Sequence, residues 1–331
     1  MSKIIAIVGI TGTQGISIAQ TFLELPEWRV RGITRNPSSE TASSLAAQGV
    51  EIFKADIDDP SSLLTAFTSA TAIFSNTDFF LHLRAALEAG IPNPSQHAYE
   101  LEVAQGVNIA EAAASTAVLK TLESFILSSL SDARKWSGGK YTTVYHFDSK
   151  AEMIRVTNER FPELAAKMST VQIGHYVSNW KAFPPMAPQK QADGSFVTFR
   201  PTAASFRMPF VVTEKDTGAF VKALIDLPAG KDLLGVSETM TWPEWMETWG
   251  RIHGVKTGFK EVPSDEFFKD LPEPMGKELA DAFAYMEEFG YDGGDPEVLT
   301  PDMLDTKIPL TSMEEYIKSQ DWSAVLNSEV S

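Results

Sequence analysis

The chain has 331 residues, of which 43% are hydrophobic and 22% are charged, and this composition excludes a largely disordered protein. It contains no cysteine, so disulfides, thiolate metal sites and thiol redox switches are excluded. No apolar run has the length of a transmembrane helix, and no signal-peptide pattern opens the sequence. We therefore expect a soluble protein of the cytoplasm, or of the nucleus if its role is regulatory, without membrane contact.

The net charge of −16 is concentrated near the C-terminal end. Residues 261–331 contain 18 Asp and Glu against four Lys and Arg, so the first 260 residues are almost neutral. An acidic region of this kind repels the phosphates of nucleic acids. We therefore expect no direct contact with DNA or RNA.

A buried strand, a glycine turn and a helix follow one another near the N-terminus. Residues 4–8 are continuously apolar, as in a parallel strand, and Gly9, Gly12 and Gly15 follow at intervals of three. Gly9 permits a tight turn, Gly12 lets an anion approach the backbone, and Gly15 lets the helix pack against the strand. The helix N-terminus attracts a pyrophosphate, so the segment predicts a dinucleotide site. A tight turn without a ligand is the alternative.

The residue after the second predicted strand indicates which dinucleotide binds. Residues 30–34 form that strand, about 20 residues after the glycine turn, where an NAD site places an acidic residue on the ribose. This chain has Arg35 there and no acid before Glu40. A guanidinium suits a 2′-phosphate, so we predict NADP(H) rather than NAD. The alternative is an ordinary solvated arginine.

Strands and helices alternate through the following part of the chain. Further strands are predicted at residues 50–54, 72–76, 124–127, 170–173 and 207–212, and helices at 41–48, 99–117, 217–225 and 242–252. This alternation predicts an α/β fold with a Rossmann-type, doubly wound parallel sheet.

Ligands of such sheets bind at the carboxyl ends of the strands. Polar residues follow several predicted strands there, and we assign Asp56, with Ile57 beside it, to the adenine edge of the cofactor. Asn76 and Thr77 follow the fourth strand, and Ser128 follows the fifth. Asp58 or Asp59 is predicted to cap the helix that opens at Pro60.

These features resemble the NmrA-like proteins, which are atypical short-chain dehydrogenases/reductases. The resemblance extends from about residue 3 to residue 325 and rests on residues 75–80 and on Gly9-Ile10-Thr11-Gly12-Thr13-Gln14-Gly15, Arg35-Asn36-Pro37, Gln105-Gly106-Val107-Asn108 and His146-Phe147-Asp148-Ser149-Lys150. It implies an NADP(H)-binding Rossmann domain, placed at residues 1–168, and a smaller, acidic α+β substrate or partner domain at 169–331. Some strands and helices of the second domain are expected to cross back to the first.

The resemblance also implies the cofactor contacts. They comprise Gly9, Thr11, Gly12, Thr13, Gln14, Gly15, Arg35, Asp56, Ile57, Asn76, Thr77 and Lys150.

The catalytic tyrosine of typical short-chain reductases is missing from its usual place. Those enzymes use Tyr-x-x-x-Lys with a nearby serine, whereas His146 stands four residues before Lys150 here. Tyr145 is one residue too early, which turns it about 100° around a helix. We predict Lys150 to hold the nicotinamide ribose, and Ser128 occupies the region of the catalytic serine. His146 is either the proton donor or a positioning residue, and Tyr176 is the alternative donor.

An aromatic cluster follows the sixth strand, where the resemblance implies the substrate cleft. We predict that the substrate contacts comprise His175, Tyr176, Asn179, Trp180 and Phe183; the alternative is core packing. The remaining histidines, His82, His97 and His253, have no companion ligands at metal spacing, so no metal site is predicted.

Two functions remain in competition. The first is an NADPH-dependent oxidoreductase that reduces a C=O, C=C or C=N bond of a small, fairly apolar compound. The second is an NADP(H)-sensing regulator without turnover that acts through protein partners. The aromatic cluster favours the enzyme, and the missing tyrosine favours the regulator. A binding module built on the acidic region is a weaker third hypothesis.

Overall fold

The computed structural model describes residues 2–330. Its strands are β1 (Lys3–Val8), β2 (Trp28–Thr34), β3 (Glu51–Lys54), β4 (Ala72–Ser75), β5 (Ser124–Ser129), β6 (Met168–Ile173), β7 (His175–Tyr176), β8 (Gln189–Lys190), β9 (Phe196–Arg200), β10 (Arg207–Val211), β11 (Asp232–Gly235), β12 (Glu238–Thr241) and β13 (Thr257–Glu261).

The helices take up most of the remaining chain. They are α1 (Thr13–Leu23), α2 (Glu40–Ala47), α3 (Pro60–Phe67), α4 (Phe79–Glu88), α5 (Pro94–Ala113), α6 (Thr116–Leu119), α7 (Ala133–Trp136), α8 (Tyr145–Arg160), α9 (Pro162–Ala165), α10 (Asn179–Ala182), α11 (Thr213–Asp226), α12 (Trp242–His253), α13 (Ser264–Phe267), α14 (Glu273–Phe289), α15 (Met313–Ser319) and α16 (Ser323–Leu326). Single 3₁₀ turns lie at Pro184–Met186 and Pro301–Met303.

A parallel sheet forms the centre of the molecule. Its strand order is β3-β2-β1-β4-β5-β6-β11, and all its neighbouring strands run parallel. The apolar run in β1 is covered on both faces, since Ile5, Ala6 and Ile7 are fully buried. The connections change direction between β1 and β4, which opens a crevice at the carboxyl ends of these strands. The prediction of a Rossmann-type doubly wound sheet is confirmed.

Helices cover both faces of this sheet. On one face, Ile18 and Phe22 of α1 share a core with Phe220 and Leu224 of α11. On the other face, α3, α5 and α8 contribute to a second core. Gly106 of α5 lets α8 approach closely, since a Cβ there would lie 1.8 Å from the sulfur of Met153. This close packing holds α8 against α5.

Helix α11 begins at Thr213, four residues before the predicted start, and the long helix also differs from its predicted bounds. The long helix begins at Pro94 instead of residue 99, because Asn93 adopts a left-handed conformation and proline suits the first helical turn. It ends at Ala113, and the separate short helix α6 follows. Helix α4 was not predicted at all. Asp59 caps α3 by accepting a hydrogen bond from the backbone N–H of Ser61.

The C-terminal half has its own aromatic core and two small sheets. The sheets are ordered β12-β10-β7 and β13-β9-β8, and Trp242, Trp245, Trp249 and Trp322 belong to the core beside them. The predicted boundary at residue 168 coincides with the first residue of β6, a strand of the central sheet. Strand β11 also joins that sheet, and α11 packs on α1. The division into two domains therefore stays a prediction.

Within residues 2–330, no helix combines the length and the apolar character needed to cross a membrane.

Candidate functional site

The three glycines of the first turn serve different geometric needs. Gly9 has a φ of +71°, a conformation that side chains rarely allow, and its carbonyl accepts a hydrogen bond from the N–H of Gly12 at 2.9 Å. A Cβ at Gly15 would lie 2.4 Å from the Gly9 oxygen, so only glycine lets α1 sit this close to the strand. Gly12 has an ordinary φ of −86° and leaves the start of α1 uncovered.

The first N–H groups of α1 have no side-chain hydrogen-bond acceptor within the described residues. Gly12 is the capping residue of this helix, and no acidic residue lies in the first turn. These amides carry the positive end of the helix dipole and need an acceptor. A pyrophosphate beside Thr11 and Thr13 would supply it.

Two further polar groups lie at the same edge of the sheet. Asn76 follows β4, and its amide nitrogen would be 3.8 Å from a Cβ placed on Gly9, so it borders the glycine turn. Arg35 follows β2 directly, is exposed, and makes no ion pair or hydrogen bond within the described residues. Strand β2 pairs with β1, with Val8 opposite Ile33, so Arg35 follows β2 at the same edge of the sheet as the glycine turn.

The residues predicted at the adenine edge form an ordered turn. The Asp56 carboxylate accepts a hydrogen bond from the N–H of Asp58 at 3.1 Å, and the carbonyl of Ile57 accepts one from the Asn108 amide at 3.0 Å. Asp56 therefore shapes the turn after β3, and Asn108 anchors that turn to α5.

A buried chain of hydrogen bonds links the glycine turn to Tyr176. The Ser128 hydroxyl donates to the Gln14 side-chain oxygen at 2.9 Å, and the Gln14 amide donates to the Tyr176 hydroxyl at 2.7 Å. Burial raises the pKa of Tyr176 to about 12, although the hydrogen bond from Gln14 acts in the opposite direction. Because the Tyr176 oxygen accepts from Gln14, its own proton is free for another acceptor.

Lys150 is held by a carboxylate that the sequence analysis did not identify. Its ammonium group lies 2.8 Å from Glu102 Oε1, and Thr77 offers it the side-chain and backbone oxygens at 3.2 and 3.4 Å. Glu102 is fully buried and also accepts from Thr77 and Ser149. Burial would raise the pKa of Glu102, but the charge of Lys150 and these hydrogen bonds outweigh it and lower the pKa. All three ammonium hydrogens thus have acceptors within reach.

His146 is likewise held by an unpredicted carboxylate. Glu278 of α14 accepts from the backbone N–H of His146 at 2.8 Å, and its same oxygen lies 2.7 Å from the ring nitrogen Nδ1. The ring packs against Phe80 and Phe147, with centroid distances of 5.0 and 4.9 Å. His146 and Lys150 lie one helical turn apart on α8, as predicted, so both face the end of β4.

The residues predicted to contact substrate are mostly engaged in packing. His175 packs edge-on against Phe210 and Trp242, and burial near Arg200 lowers its pKa to about 3. Trp180 stacks on Trp322 and donates to Tyr316 at 3.1 Å.

Two other predicted substrate residues differ in their contacts. Phe183 packs against Phe267 and Phe268, whereas Asn179 begins α10 without a side-chain hydrogen bond. Among the described contacts, only Tyr176 joins the Gln14–Ser128 network. The assignment of this group to substrate stays a prediction.

The sequence gives an indication that Glu102 is a buried site residue but none for Glu278. Glu102 lies on the buried face of α5 with Ala98, Gly106 and Ile109, and a carboxylate on a largely apolar stripe indicates a buried partner. Glu278 belongs to an acidic region, so nothing in its surroundings distinguishes it from solvated glutamates. In the part of the chain that the structure describes, no group of three His, Asp or Glu is arranged to hold a metal.

Comparisons with known proteins identify the family of the chain. The profile of the NmrA-like family matches residues 1–325. The NmrA-like family domain-containing oxidoreductase hkm9 of Aspergillus hancockii is 28% identical over 310 residues, which cover 89% of this chain and 86% of that protein. FrzB of a Cladobotryum species, another such oxidoreductase, is 27% identical over 310 residues, covering 88% and 85%.

Solved structures share the fold. The negative transcriptional regulator NmrA in complex with NADP has a TM-score of 0.71 at 20% identity, covering 96% of this chain and 95% of that one. The NADPH-dependent quinone oxidoreductase QOR2 of Escherichia coli, complexed with NADPH, has a TM-score of 0.65 at 19% identity, covering 95% and 98%. With the family profile matched along almost its whole length, the chain belongs to the NmrA-like family.

Proposed function

We propose that this chain is an NADPH-dependent oxidoreductase of the NmrA type that reduces a C=O, C=C or C=N bond of a small, fairly apolar compound. The observation that carries the proposal is the hydrogen-bonded chain from the glycine turn to Tyr176, which places a protonated hydroxyl beside a dinucleotide-type turn. The family's similar oxidoreductases, hkm9 and FrzB, support the reaction class.

The polar groups at this edge of the sheet fit NADPH. The free N–H groups at the start of α1 would bind the pyrophosphate, and Gly12 leaves space for it. Arg35, which has no other partner among residues 2–330, would pair with the 2′-phosphate. Asn76 and Thr77 would border the nicotinamide half. When bound, NADPH supplies a hydride to the substrate.

The chain itself must then supply a proton. The hydrogen bonds favour Tyr176 as donor, because Gln14 donates to its oxygen and leaves the phenolic proton free for another acceptor. Ser128 fixes the orientation of Gln14. Lys150 contributes a positive charge near Thr77, and His146 is the alternative donor.

A second candidate function is an NADP(H)-responsive regulator that acts through a protein partner. The contacts of Lys150 favour it, since the lysine that a reductase would use for the ribose is held by Glu102 and Thr77. The structural neighbour NmrA is described as a negative transcriptional regulator.

One pair of experiments distinguishes the two functions. NADPH consumption is followed by absorbance with a panel of quinones, aldehydes, enones and imines, using Gly12→Val as the control that should not bind cofactor. A pull-down from cell extract, with NADPH or NADP⁺ added, is run beside it. Turnover that Gly12→Val lacks supports the enzyme. A cofactor-dependent partner without turnover supports the regulator, and failure of wild type to bind NADPH in calorimetry overturns both.

A further inference from the structure

Glu278 is a buried carboxylate from the C-terminal half that reaches the start of α8. Only 1% of its side chain is exposed, and the partner of its carboxylate in the described ion pairs is His146. One oxygen, Oε1, accepts the backbone N–H of His146 and also faces ring nitrogen Nδ1. The other oxygen, Oε2, is buried without a partner within residues 2–330. The hydrogen bonds of the Glu278 carboxylate within the described residues are therefore made to His146.

The hydrogen bond from the backbone N–H of His146 to Glu278 indicates which ring nitrogen of His146 carries the proton. Oε1 accepts the His146 N–H, so it presents lone pairs on that side. An Nδ1 lone pair facing the same oxygen at 2.7 Å would be repelled, whereas an Nδ1–H group donates to it. In a neutral imidazole one nitrogen carries the proton and the other accepts. The proton on Nδ1 thus leaves Nε2 as an acceptor.

The surroundings of the ring hold it in place and leave Nε2 available. Phe79, Phe80 and Phe147 pack around the imidazole, and its side chain is 13% exposed. Nε2 makes no hydrogen bond to any residue from 2 to 330. His146 shares its face of α8 with Lys150, which contacts Thr77 at the end of β4.

We propose that Glu278 is a positioning residue that orients the His146 ring and holds its proton on Nδ1, so that the ring offers Nε2 to the substrate as a hydrogen-bond acceptor. The part of this inference that concerns substrate rests on the proposed function. It narrows the substrate class to compounds that carry an O–H or N–H donor beside an apolar or aromatic portion, which would contact Phe80. The same tautomer agrees with Tyr176 as the proposed proton donor, because an Nε2 atom that accepts a hydrogen bond carries no proton to donate.

The tautomer can be measured without any turnover. Nitrogen-15 NMR of the histidine rings distinguishes the two tautomers, and the chain has only five histidines, so His146→Phe assigns the signal. At about pH 8, where ordinary imidazoles are neutral, wild-type His146 should be protonated on Nδ1. Glu278→Gln keeps an acceptor oxygen and should keep this tautomer. Glu278→Ala removes it and should shift His146 largely to the Nε2–H form.

His82 provides an internal control in the same spectra. Its Nε2 lies 2.8 Å from the Gln105 oxygen, whose orientation is fixed because the Gln105 amide donates to Asp58 at 2.9 Å. His82 should therefore be the Nε2–H tautomer in all variants. An Nε2–H signal for wild-type His146, or an unchanged His146 tautomer in folded Glu278→Ala, overturns the proposal. If Glu278→Ala does not fold, loss of the Nδ1–H form in folded Glu278→Gln would also overturn it.

The Glu278 inference and the proposed function can fail independently of one another. The NMR measurement needs neither cofactor nor substrate, whereas the proposed function is tested by NADPH binding and turnover. A chain that binds no NADPH but shows the expected tautomers would retain the Glu278 assignment and lose the oxidoreductase proposal.

Discussion

Removing the charge of Glu102 should strongly destabilise the protein. Glu102 is fully buried, and its partner Lys150 has 12% of its side chain exposed and no other carboxylate among its described ion pairs. Glu102→Gln keeps the shape of the side chain but leaves the lysine without a counter-charge. Removing one partner of a buried pair costs about 3–5 kcal/mol. A domain of this kind has a free energy of unfolding of about 5–15 kcal/mol, so the loss is a large fraction of it.

Urea denaturation at neutral pH measures this loss. Glu100→Gln on the same helix is the matched control, because Glu100 is exposed and its side chain bonds only to Gln96. The control should change the free energy of unfolding by less than about 0.5 kcal/mol. The double variant Glu102→Gln/Lys150→Met removes both charges and should be more stable than Glu102→Gln alone. A single variant within about 1 kcal/mol of wild type would refute the role of the pair.

Acid should remove the difference in the free energy of unfolding between wild type and Glu102→Gln. The pKa of Glu102 is lowered in the folded protein, because Lys150 and the hydrogen bonds outweigh the effect of burial. Its stabilising contribution is therefore complete above the unfolded pKa of glutamate, about 4.3, and is lost as the pH falls through the lower folded value. The free energies of unfolding of the two proteins should converge below about pH 4. If the two free energies of unfolding converged at a higher pH, the pKa of Glu102 would not be lowered in the folded protein.

Three further predictions concern the cofactor and the proton. Arg35→Asp should weaken NADPH binding at least about tenfold in calorimetry, since a charge-assisted bond contributes about 1.5–3 kcal/mol. The control Arg84→Asp, at another exposed arginine, should leave the affinity for NADPH unchanged. Equal affinity of wild type for NADH and NADPH would refute the role of Arg35. Gly12→Val should abolish NADPH binding with an unchanged circular dichroism spectrum. Gly15→Ala should instead lower the free energy of unfolding by about 1–3 kcal/mol, because the alanine Cβ would lie 2.4 Å from the backbone oxygen of Gly9. Tyr176→Phe should keep NADPH affinity and lose about 10²–10⁴-fold in rate, and full activity would remove it as proton donor.

Local sequence determined six of the seven strands of the central sheet and the glycine turn after β1, whereas β11 was not predicted. The apolar run of β1, the glycines after it and the amphipathic helix α1 are each encoded by neighbouring residues, and burial of β1 on both faces follows from its composition. The place of Arg35 could be predicted because it depends only on where β2 ends. Helix α4 (Phe79–Glu88) was not predicted, because no element was assigned to these residues between the fourth strand and the long helix.

Tertiary structure alone decided how the site's polar groups are paired. Gln14 and Tyr176 are 162 residues apart in sequence, His146 and Glu278 are 132 apart, and Lys150 and Glu102 are 48 apart. The sequence placed Lys150 and His146 on one face of α8, because that relation follows from the helical repeat. It could not show that Glu102 and Glu278 hold them. The helical stripe of Glu102 indicates a buried partner but not which residue that is, and the local pattern of Glu278 is that of a carboxylate facing water. Only the tertiary structure brings Glu102 to Lys150 and Glu278 to His146 and excludes water from both.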